Sequence, residues 1–543
     1  MSNQKHPKSC SHIEASFLYD ILKDSNGQVH FKYIIERLSS EGIHEDDIRV
    51  QKIIHDLPEI LNRSVKNPSD IILEKSGLMR IITQNWYLFF KALTKSMVIP
   101  KFEELRHAVG VLYGEIEGDV TGETSNYIPE IKNTCPDLWA VSICSTDGQK
   151  CSFGDYLVPL TIQDISYPFL YAKCLDLFGS ATVLEYVGIE RKPADVSVKN
   201  SKANNRAFNP MTDSGAISLS TLFCDNDKRT GTAADKHYEF FEFMKALCGN
   251  NHFQICTPAY VSVRQKDDLS RSIAYAMLNQ GHLPNDTDIP TIMDFYFEAR
   301  SLEVTCDGLA VMAATLANFG VNPYTNEKLI SPISVKAVLS AMHNWGNYGY
   351  SGVNAFYLGL PSKHSVAGAF MVVVPGMLGL ILYSPRINDN EVGEKNIDFA
   401  MKFVKKFDLH PLSNSSKEMK KRFGTRKIPE VPCENYCKIF TAVFNNDLEE
   451  VMNLTKGNKK IVFEKDLEGR TILHLAAIKG HFEIIKFVTS NFRKLSSVKD
   501  RFGRVPREYV KASDKNFFEI TNIFKKWEDL DKICELASAS NIN

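Results

Sequence analysis

The sequence has few of the features that mark metal-binding, disulfide-linked or nucleic-acid-binding proteins. Its 543 residues include 12 cysteines, but no C-x-x-C pair, no H-E-x-x-H motif and no His/Cys cluster at zinc spacing. Lysine and arginine (64) balance aspartate and glutamate (65), so there is no basic excess for binding nucleic acid. We therefore expect reduced structural thiols, and neither a metal, a cofactor nor a nucleic-acid partner.

Signals for export and membrane insertion are also missing. The first 17 residues, MSNQKHPKSCSHIEASF, contain no apolar core of the kind found in secretory signals, and no arginine. The longest charge-free run, residues 365–384, is split by Pro375-Gly376 into two apolar pieces. This pattern predicts two strands joined by a turn rather than a membrane helix. We expect a cytoplasmic protein without a membrane partner, with a mitochondrial location as the alternative.

The N-terminal part of the chain is predicted to be helical. An apolar fraction of 44% is ordinary for a folded protein, and the length predicts about three domains. Apolar residues recur at three- and four-residue intervals over residues 14–112, which is typical of amphipathic helices. This domain looks EF-hand-like, but in Asp24-Ser25-Asn26-Gly27 the glycine comes too early for a calcium loop, so we expect no calcium.

Residues 122–410 are predicted to mix strands and helices. LWAVSIC and QKCSFGD flank a turn with Asp147-Gly148, and MVVV and MLGLILY flank Pro375-Gly376, so both segments predict β-hairpins. Helical runs such as PTIMDFYFEARSLEV lie between the hairpins. The fold class is therefore α/β in the broad sense, or α+β, with one antiparallel sheet and a layer of helices.

The C-terminal part is predicted to form ankyrin repeats over residues 433–535, after a polar, basic linker at 411–432. DLEGRTILHLAA, residues 466–477, matches an ankyrin turn and first helix. DRFGRVP follows at 500–506, close to one repeat of about 33 residues later. Such a segment predicts a surface for binding other proteins and no chemistry of its own.

Several long motifs of the middle domain resemble those of the animal-type glutaminases, which are serine-dependent amidohydrolases with a serine β-lactamase-like fold. They are GD-x-x-VP, NP-x-x-x-SGAI, DFYFEARSLEVTC, MAATLANFG, LGLP-x-K and SVAGA. The helical N-terminus and the ankyrin tail fit the same family. The resemblance implies hydrolysis of L-glutamine to L-glutamate and ammonia, and assembly into dimers and tetramers.

The catalytic S-x-x-K motif of that family is missing here. The family uses a serine at the start of a helix and a lysine one turn later, which takes the proton of the serine hydroxyl. The window GDYLVPLTIQDISYP, residues 154–168, places Asp164 at the nucleophile position and Tyr167 at the base position. A carboxylate attacks an unactivated amide poorly, and a phenol with a pKa of about 10 is a poor base near neutral pH. The resemblance therefore predicts impaired or absent catalysis.

The resemblance also assigns the other residues of the site. The expected catalytic set continues with Tyr127, Tyr348 and Lys363, and the expected substrate-binding residues are Gln163, Asp213, Val263, Ser272, Tyr296 and Val366. Asp213 stands where the family has an asparagine, so it would place a negative charge near the substrate's carboxylate. Val263 removes an acceptor for the substrate's ammonium group. The retained tyrosines could instead be ordinary core aromatics, and Lys363 could be a surface lysine.

Three functions remain open from the sequence. The first is a catalytically inactive relative that acts by assembly, as a homo-oligomer, as a hetero-oligomer with an active glutaminase, or through a protein partner on the ankyrin repeats. The second is a glutaminase or amidohydrolase that works with rearranged residues. The third is a metabolite sensor, for which Asp213 beside Asp164 favours a cationic ligand over glutamine.

Overall fold

The computed structural model describes most of the chain, in two units. The described residues are 22, 28–61, 71–74, 77–78, 81, 86–93, 97–190, 206–224, 231–249, 251–388, 391–413, 439–440, 442–444, 446–457, 459–466, 469–511 and 516–526. One unit comprises Met1–Ile34, Lys66–Ser96 and Arg426–Asn543, and the other comprises Ile35–Val65 and Met97–Thr425. The second, larger unit contains the candidate site.

Short strands and longer helices alternate along the described residues. The strands are β1 Val29–His30, β2 Ile72–Leu73, β3 Glu123–Thr124, β4 Ala140–Ser145, β5 Lys150–Gly154, β6 Leu160–Thr161, β7 Phe253–Ile255, β8 Leu302–Val304, β9 Ser362–His364, β10 Ala369–Val374, β11 Leu378–Tyr383 and β12 Arg386–Ile387. The helices are α1 Phe31–Ser40, α2 Ile48–Leu61, α3 Trp86–Leu93, α4 Phe102–Ile116, α5 Pro129–Lys132, α6 Ser166–Tyr186, α7 Asp213–Cys224, α8 Ala233–Leu247, α9 Thr257–Lys266, α10 Asp268–Asn279, α11 Ile289–Arg300, α12 Cys306–Ala317, α13 Pro332–Trp345, α14 Ser351–Tyr357, α15 Glu394–Phe407, α16 Leu448–Gly457, α17 Ile472–Lys479 and α18 Phe482–Asn491.

The larger unit is built on a five-stranded antiparallel sheet in the order β5-β4-β11-β10-β9. Both predicted hairpins are confirmed: β4 pairs with β5, and β10 pairs with β11 across the Pro375-Gly376 turn. The charge-free run at 365–384 thus lies in β10, β11 and their connections. Among the residues that the structure describes, no helix is long and apolar enough to cross a membrane.

Both faces of the sheet are covered, because its strands carry apolar side chains on both sides. One face, including Val372 and Leu380, packs against α4 and α15. The other face, including Met371 and Ile381, packs against α12, whose residues are all buried. The predicted domain boundary at residue 112 falls inside α4, so the helical cover of the sheet begins before that boundary.

A glycine allows α12 to lie directly on the central strand. A Cβ atom on Gly379 of β11 would lie 2.5 Å from the Cβ of Ala313 and 2.6 Å from the backbone nitrogen of Ala314. Only hydrogen fits there, because real Cβ atoms do not approach other heavy atoms so closely. The remaining helices α6 to α11 and α13 form the layer in which the candidate site lies.

The smaller unit contains the short β1–β2 pair and the C-terminal helices. The backbone N–H of Thr471 donates to His474 Nδ1 (3.0 Å), and His474 Nε2 lies 3.2 Å from the carbonyl oxygen of Arg504, about one repeat later. α17 ends at Gly480 with a φ of 70°, and α18 follows at once. These contacts are compatible with ankyrin repeats, whose presence remains a prediction from the sequence. The linker, apart from residues 411–413, and the rejected calcium loop at 24–27 lie outside the described residues.

Candidate active site

The nucleophile and base positions lie at the start of α6. A turn of 3₁₀-helix, Gln163–Ile165, precedes the helix, and Gln163 has a φ of 47°, which side-chain-bearing residues rarely adopt. The turn holds Gln163, Asp164 and Tyr167 in the interior. Ser166 is buried too, but its hydroxyl donates to the carbonyl oxygen of Gln163 (2.8 Å). The serine within the window at residues 154–168 is therefore engaged with the backbone.

Tyr167 belongs to a chain of buried phenols that ends on Asp213. Its hydroxyl donates to Asp213 Oδ1 (2.6 Å) and lies 2.8 Å from the hydroxyl of Tyr296, which is itself 3.2 Å from the same carboxylate oxygen. Burial raises the pKa of Tyr167 and of Tyr296 well above 10, and the neighbouring negative charge of Asp213 adds to this effect. Both phenols therefore stay protonated and act as hydrogen-bond donors rather than bases.

Arg300, the last residue of α11, lies at the centre of the site, and the sequence analysis did not name it. Its Nη2 lies 3.2 Å from Asp164 Oδ1. Its Nη1 donates to the hydroxyls of Tyr127 (2.8 Å) and Tyr296 (3.1 Å) and lies 3.4 Å from Asp267 Oδ2. Burial lowers the pKa of Arg300, but the surrounding phenols and Asp164 outweigh burial and the pKa lies well above its ordinary value. We call these five residues the Arg300 cluster.

The three-stranded sheet β6-β8-β7 brings Arg300 next to Asp164. β6 ends just before the Gln163–Ile165 turn, and β8 begins just after α11. Leu160 pairs with Val304, and the backbone N–H of Ile162 donates to the carbonyl oxygen of Leu302 (2.9 Å). These pairs hold the segment just before Asp164 beside the segment just after Arg300. The side chains at positions 164 and 300 are thereby brought into contact.

Asp267 is the second residue that the sequence analysis missed. It accepts a hydrogen bond from the backbone N–H of Ser270 (3.0 Å) at the start of α10, and its Oδ2 accepts from the hydroxyls of Tyr127 (2.6 Å) and Ser270 (2.7 Å). The carboxylate therefore caps a helix and at the same time faces Arg300. An Asp-Asp pair before an amphipathic helix is a recognisable cap signal, but nothing in it indicates a partner 33 residues away.

Lys363 lies in the interior on β9, so the alternative of a surface lysine is wrong. Its Nζ donates to the carbonyl oxygen of His364 (3.1 Å) and lies 4.6 Å and 5.6 Å from the ring centres of Tyr348 and Tyr167. Burial lowers the pKa of Lys363, against the opposing attraction of Asp164 and Asp213. Among the described residues, no serine, threonine or cysteine side chain lies within hydrogen-bonding distance of this amine.

Of the other predicted site residues, three lie in the interior and one is exposed. Val366 is buried in the turn after β9, and Gln163 Nε2 donates to Thr161 Oγ1 (3.2 Å) within the motif turn. Val263 is buried in the apolar core on α9. Ser272 lies apart from the cluster: it is exposed, and its hydroxyl donates to the carbonyl oxygen of Asp268 (2.8 Å). Ser270, two residues earlier, is the serine that reaches the cluster, because its hydroxyl donates to Asp267 Oδ2 (2.7 Å).

Within the described ranges, no group of three or more His, Cys, Asp or Glu side chains is placed to hold a metal ion. The carboxylates of the site are engaged with Arg300 and with phenol hydroxyls instead. The arrangement is a buried network of charges and phenols.

Comparison with known proteins places the chain in a family. The family model described as Glutaminase matches residues 122–411, which is more than half of the chain. The chain belongs to the glutaminase family. An EF-hand domain model matches residues 14–100. The family's parent reaction is the hydrolysis of glutamine, and the mixed architecture of helices and sheet described above is the family's fold.

Individual relatives extend the likeness over almost the whole chain. Putative glutaminase 3 of Caenorhabditis elegans is 31% identical over 92% of this chain and 86% of the relative. The mitochondrial liver isoform of glutaminase from Mus musculus is 30% identical over 91% of this chain and 80% of the relative. A crystal structure of Mglu in its native form is 27% identical, covers 57% of this chain and 74% of that chain, and superposes with a TM-score of 0.54.

Proposed function

We propose that this chain is a member of the glutaminase family that does not hydrolyse glutamine and acts by assembly with other proteins. The observation that carries the proposal is the state of the two catalytic positions. Asp164 is paired with buried Arg300, and the phenol of Tyr167 donates to Asp213. Neither position offers an activated nucleophile.

The chemistry of amide hydrolysis explains why these groups cannot substitute for the missing pair. Acyl transfer to an enzyme needs a hydroxyl or thiol whose proton a nearby base accepts. Ser166 is the nearest serine in sequence, yet its hydroxyl donates to Gln163. Lys363 could act as a base once it has lost its own proton. Among the described residues, however, no serine or threonine hydroxyl lies within hydrogen-bonding distance of its amine. The carboxylate of Asp164 is held by the ion pair with Arg300 (3.2 Å), so it is not free to orient a water molecule.

Assembly is the role that the rest of the chain supports. Glutaminases commonly oligomerise, and this chain matches its relatives over more than nine-tenths of its length. We propose a homo-oligomer, or a hetero-oligomer with an active glutaminase in the cytoplasm or in mitochondria, where the liver isoform is located. The predicted ankyrin repeats at 433–535 would offer a second surface for a protein partner.

An assay of ammonia release tests the catalytic part of the proposal. The purified full-length chain is incubated with glutamine beside the mouse liver isoform as a positive control. We expect no release above buffer, from the wild type or from Asp164→Ala. The double variant Asp164→Ser/Tyr167→Lys restores the motif but keeps Arg300 and Asp213, so we expect it to stay inactive. Wild-type turnover that Asp164→Ala abolishes would refute the proposal.

Light scattering of the purified chain, alone and mixed with an active glutaminase, tests the assembly part. We expect a defined homo-oligomer or a mixed oligomer of discrete mass. A chain that stays monomeric in both samples would contradict assembly through the glutaminase domain. Such a result would leave only the predicted ankyrin surface as a route to a partner.

A further inference from the structure

The Arg300 cluster has the composition of a receptor for an organic cation. Two carboxylates, Asp164 and Asp267, and the hydroxyls of Tyr127 and Tyr296 surround one guanidinium. The guanidinium carbon also lies 4.9 Å and 5.3 Å from the centres of the two tyrosine rings. The arginine side chain is 5% exposed and each aspartate side chain 4%. The receptor is therefore closed, and the chain itself supplies the cation.

The same groups are the ones that would meet a substrate. Asp164, Tyr127 and Tyr296 stand at positions that the family resemblance assigns to catalysis and substrate binding. Asp267 follows Val263 by four residues, one helical turn after the position where the resemblance expects an acceptor for the substrate's ammonium. The residue that meets this set of groups is not a ligand but Arg300.

On the basis of the proposed function, we propose that Arg300 is a specificity-determining residue that takes the place of the ammonium group of an amino-acid ligand. It thereby excludes glutamine and other α-ammonium compounds from the site. An incoming ammonium would have to displace the guanidinium from Asp164 and Asp267 and then share the site with a second positive charge. Because Arg300 is tethered, its local concentration does not fall when the protein is diluted, and a free ligand competes poorly.

Removal of the guanidinium should convert the cluster into a binding site for small cations. Arg300→Ala leaves two buried carboxylates and two phenol hydroxyls facing an unfilled volume. We expect isothermal calorimetry to show binding of methylguanidinium by this variant, tighter than by the wild type by roughly tenfold or more. Arg264→Ala is the matched control, since Arg264 pairs with Asp294 at the surface, where its side chain is 54% exposed. We expect it to behave like the wild type.

A second variant covers the case in which Arg300→Ala does not fold. Asp164→Asn/Arg300→Gln removes one charge of each sign, so the net charge of the site is unchanged while Asp267 loses its cation. We expect it to fold cooperatively and to bind methylguanidinium more tightly than the wild type does. If either folded variant binds this ion no better than Arg264→Ala does, the proposal is wrong.

The wild-type chain provides a test without any substitution. We expect no binding of glutamine or methylguanidinium at millimolar concentration. Binding of glutamine without ammonia release would overturn the exclusion by Arg300 and would leave the catalytic proposal standing. Ammonia release by the wild type would refute the catalytic proposal itself, so the two failures can be told apart.

Discussion

Replacement of Arg300 by methionine should destabilise the larger unit strongly, because one cation serves two buried carboxylates. Methionine keeps most of the side-chain volume but none of the charge, so it leaves Asp164 and Asp267 without their common partner. Removing one member of a buried ion pair costs about 3–5 kcal/mol. A domain typically has a free energy of unfolding of about 5–15 kcal/mol. We expect a loss of about 3–5 kcal/mol, which is a large part of that total.

The measurement has to report on the larger unit alone, because the two units of the chain need not unfold in one transition. The chain has four tryptophans. Trp139 and Trp345 belong to the larger unit, and Trp86 and Trp527 to the smaller one. In a Trp86→Phe/Trp527→Phe background, fluorescence during urea unfolding follows the larger unit. An unchanged dependence on urea concentration would show that the midpoint shift reflects stability.

A double-mutant cycle separates the ion pair from a general packing effect. Asp164→Asn combined with Arg300→Met should lose less stability than the sum of the two single changes, by about 1 kcal/mol or more. Arg264→Met at the surface is the matched control and should stay within about 0.5 kcal/mol of the wild type. A loss below about 1 kcal/mol for Arg300→Met, or strict additivity in the cycle, would refute the ion-pair argument.

Three further predictions concern the sheet, the pH dependence and the C-terminal unit. Gly379→Ala should cost about 1–3 kcal/mol in the same fluorescence assay, because the new Cβ would meet Ala313 at 2.5 Å. Burial, and then the Lys363 ammonium, hold the pKa of His364 well below 6.5. As the pH falls below about 6.5, the imidazole is protonated in the unfolded chain before it is protonated in the folded chain, so the free energy of unfolding decreases. His364→Gln should therefore flatten the pH dependence of the free energy of unfolding over the assay range of about pH 7 to 5. An unchanged slope would refute this role of His364. His474→Ala removes the hydrogen bonds to Thr471 and Arg504, which should lower the free energy of unfolding of the C-terminal unit by about 1–3 kcal/mol. Limited proteolysis of residues 439–526 should therefore be faster, and an unchanged cleavage rate would contradict this role of His474.

The local elements of the sheet could be predicted from the sequence, but their order could not. Asp147-Gly148 and Pro375-Gly376 set two hairpins because their backbone preferences suit tight turns, and both hairpins are present. The pairing of β4 with β11 joins strands more than 230 residues apart. A continuous run of apolar residues, as in β10 and β11, indicates a strand that is covered on both faces, but it does not identify the neighbouring strand.

The candidate site, too, could be predicted from the sequence only in part. The family motifs led to Asp164, Tyr167 and Tyr296, which the structure joins in one network with Arg300 and Asp213. Arg300 itself had a signal that could have been read: it follows Tyr296 by four residues in a helix, so the two side chains share a face. Arginine in the last turn of a helix is also a common way to satisfy the helix end, which made the signal ambiguous.

The network around Arg300 and Asp213 gives these residues a structural role that does not depend on a ligand. Asp164 and Asp267 are neutralised by Arg300, and Asp213 accepts from two phenols whose pKa values burial raises. A buried charge is costly unless internal partners compensate it, and here each carboxylate has such a partner. In a working binding site, some of that compensation is left for the substrate to supply. On the proposed function, the side chains at the two catalytic positions and the internal cation Arg300 therefore stabilise the fold and do not serve to bind a ligand.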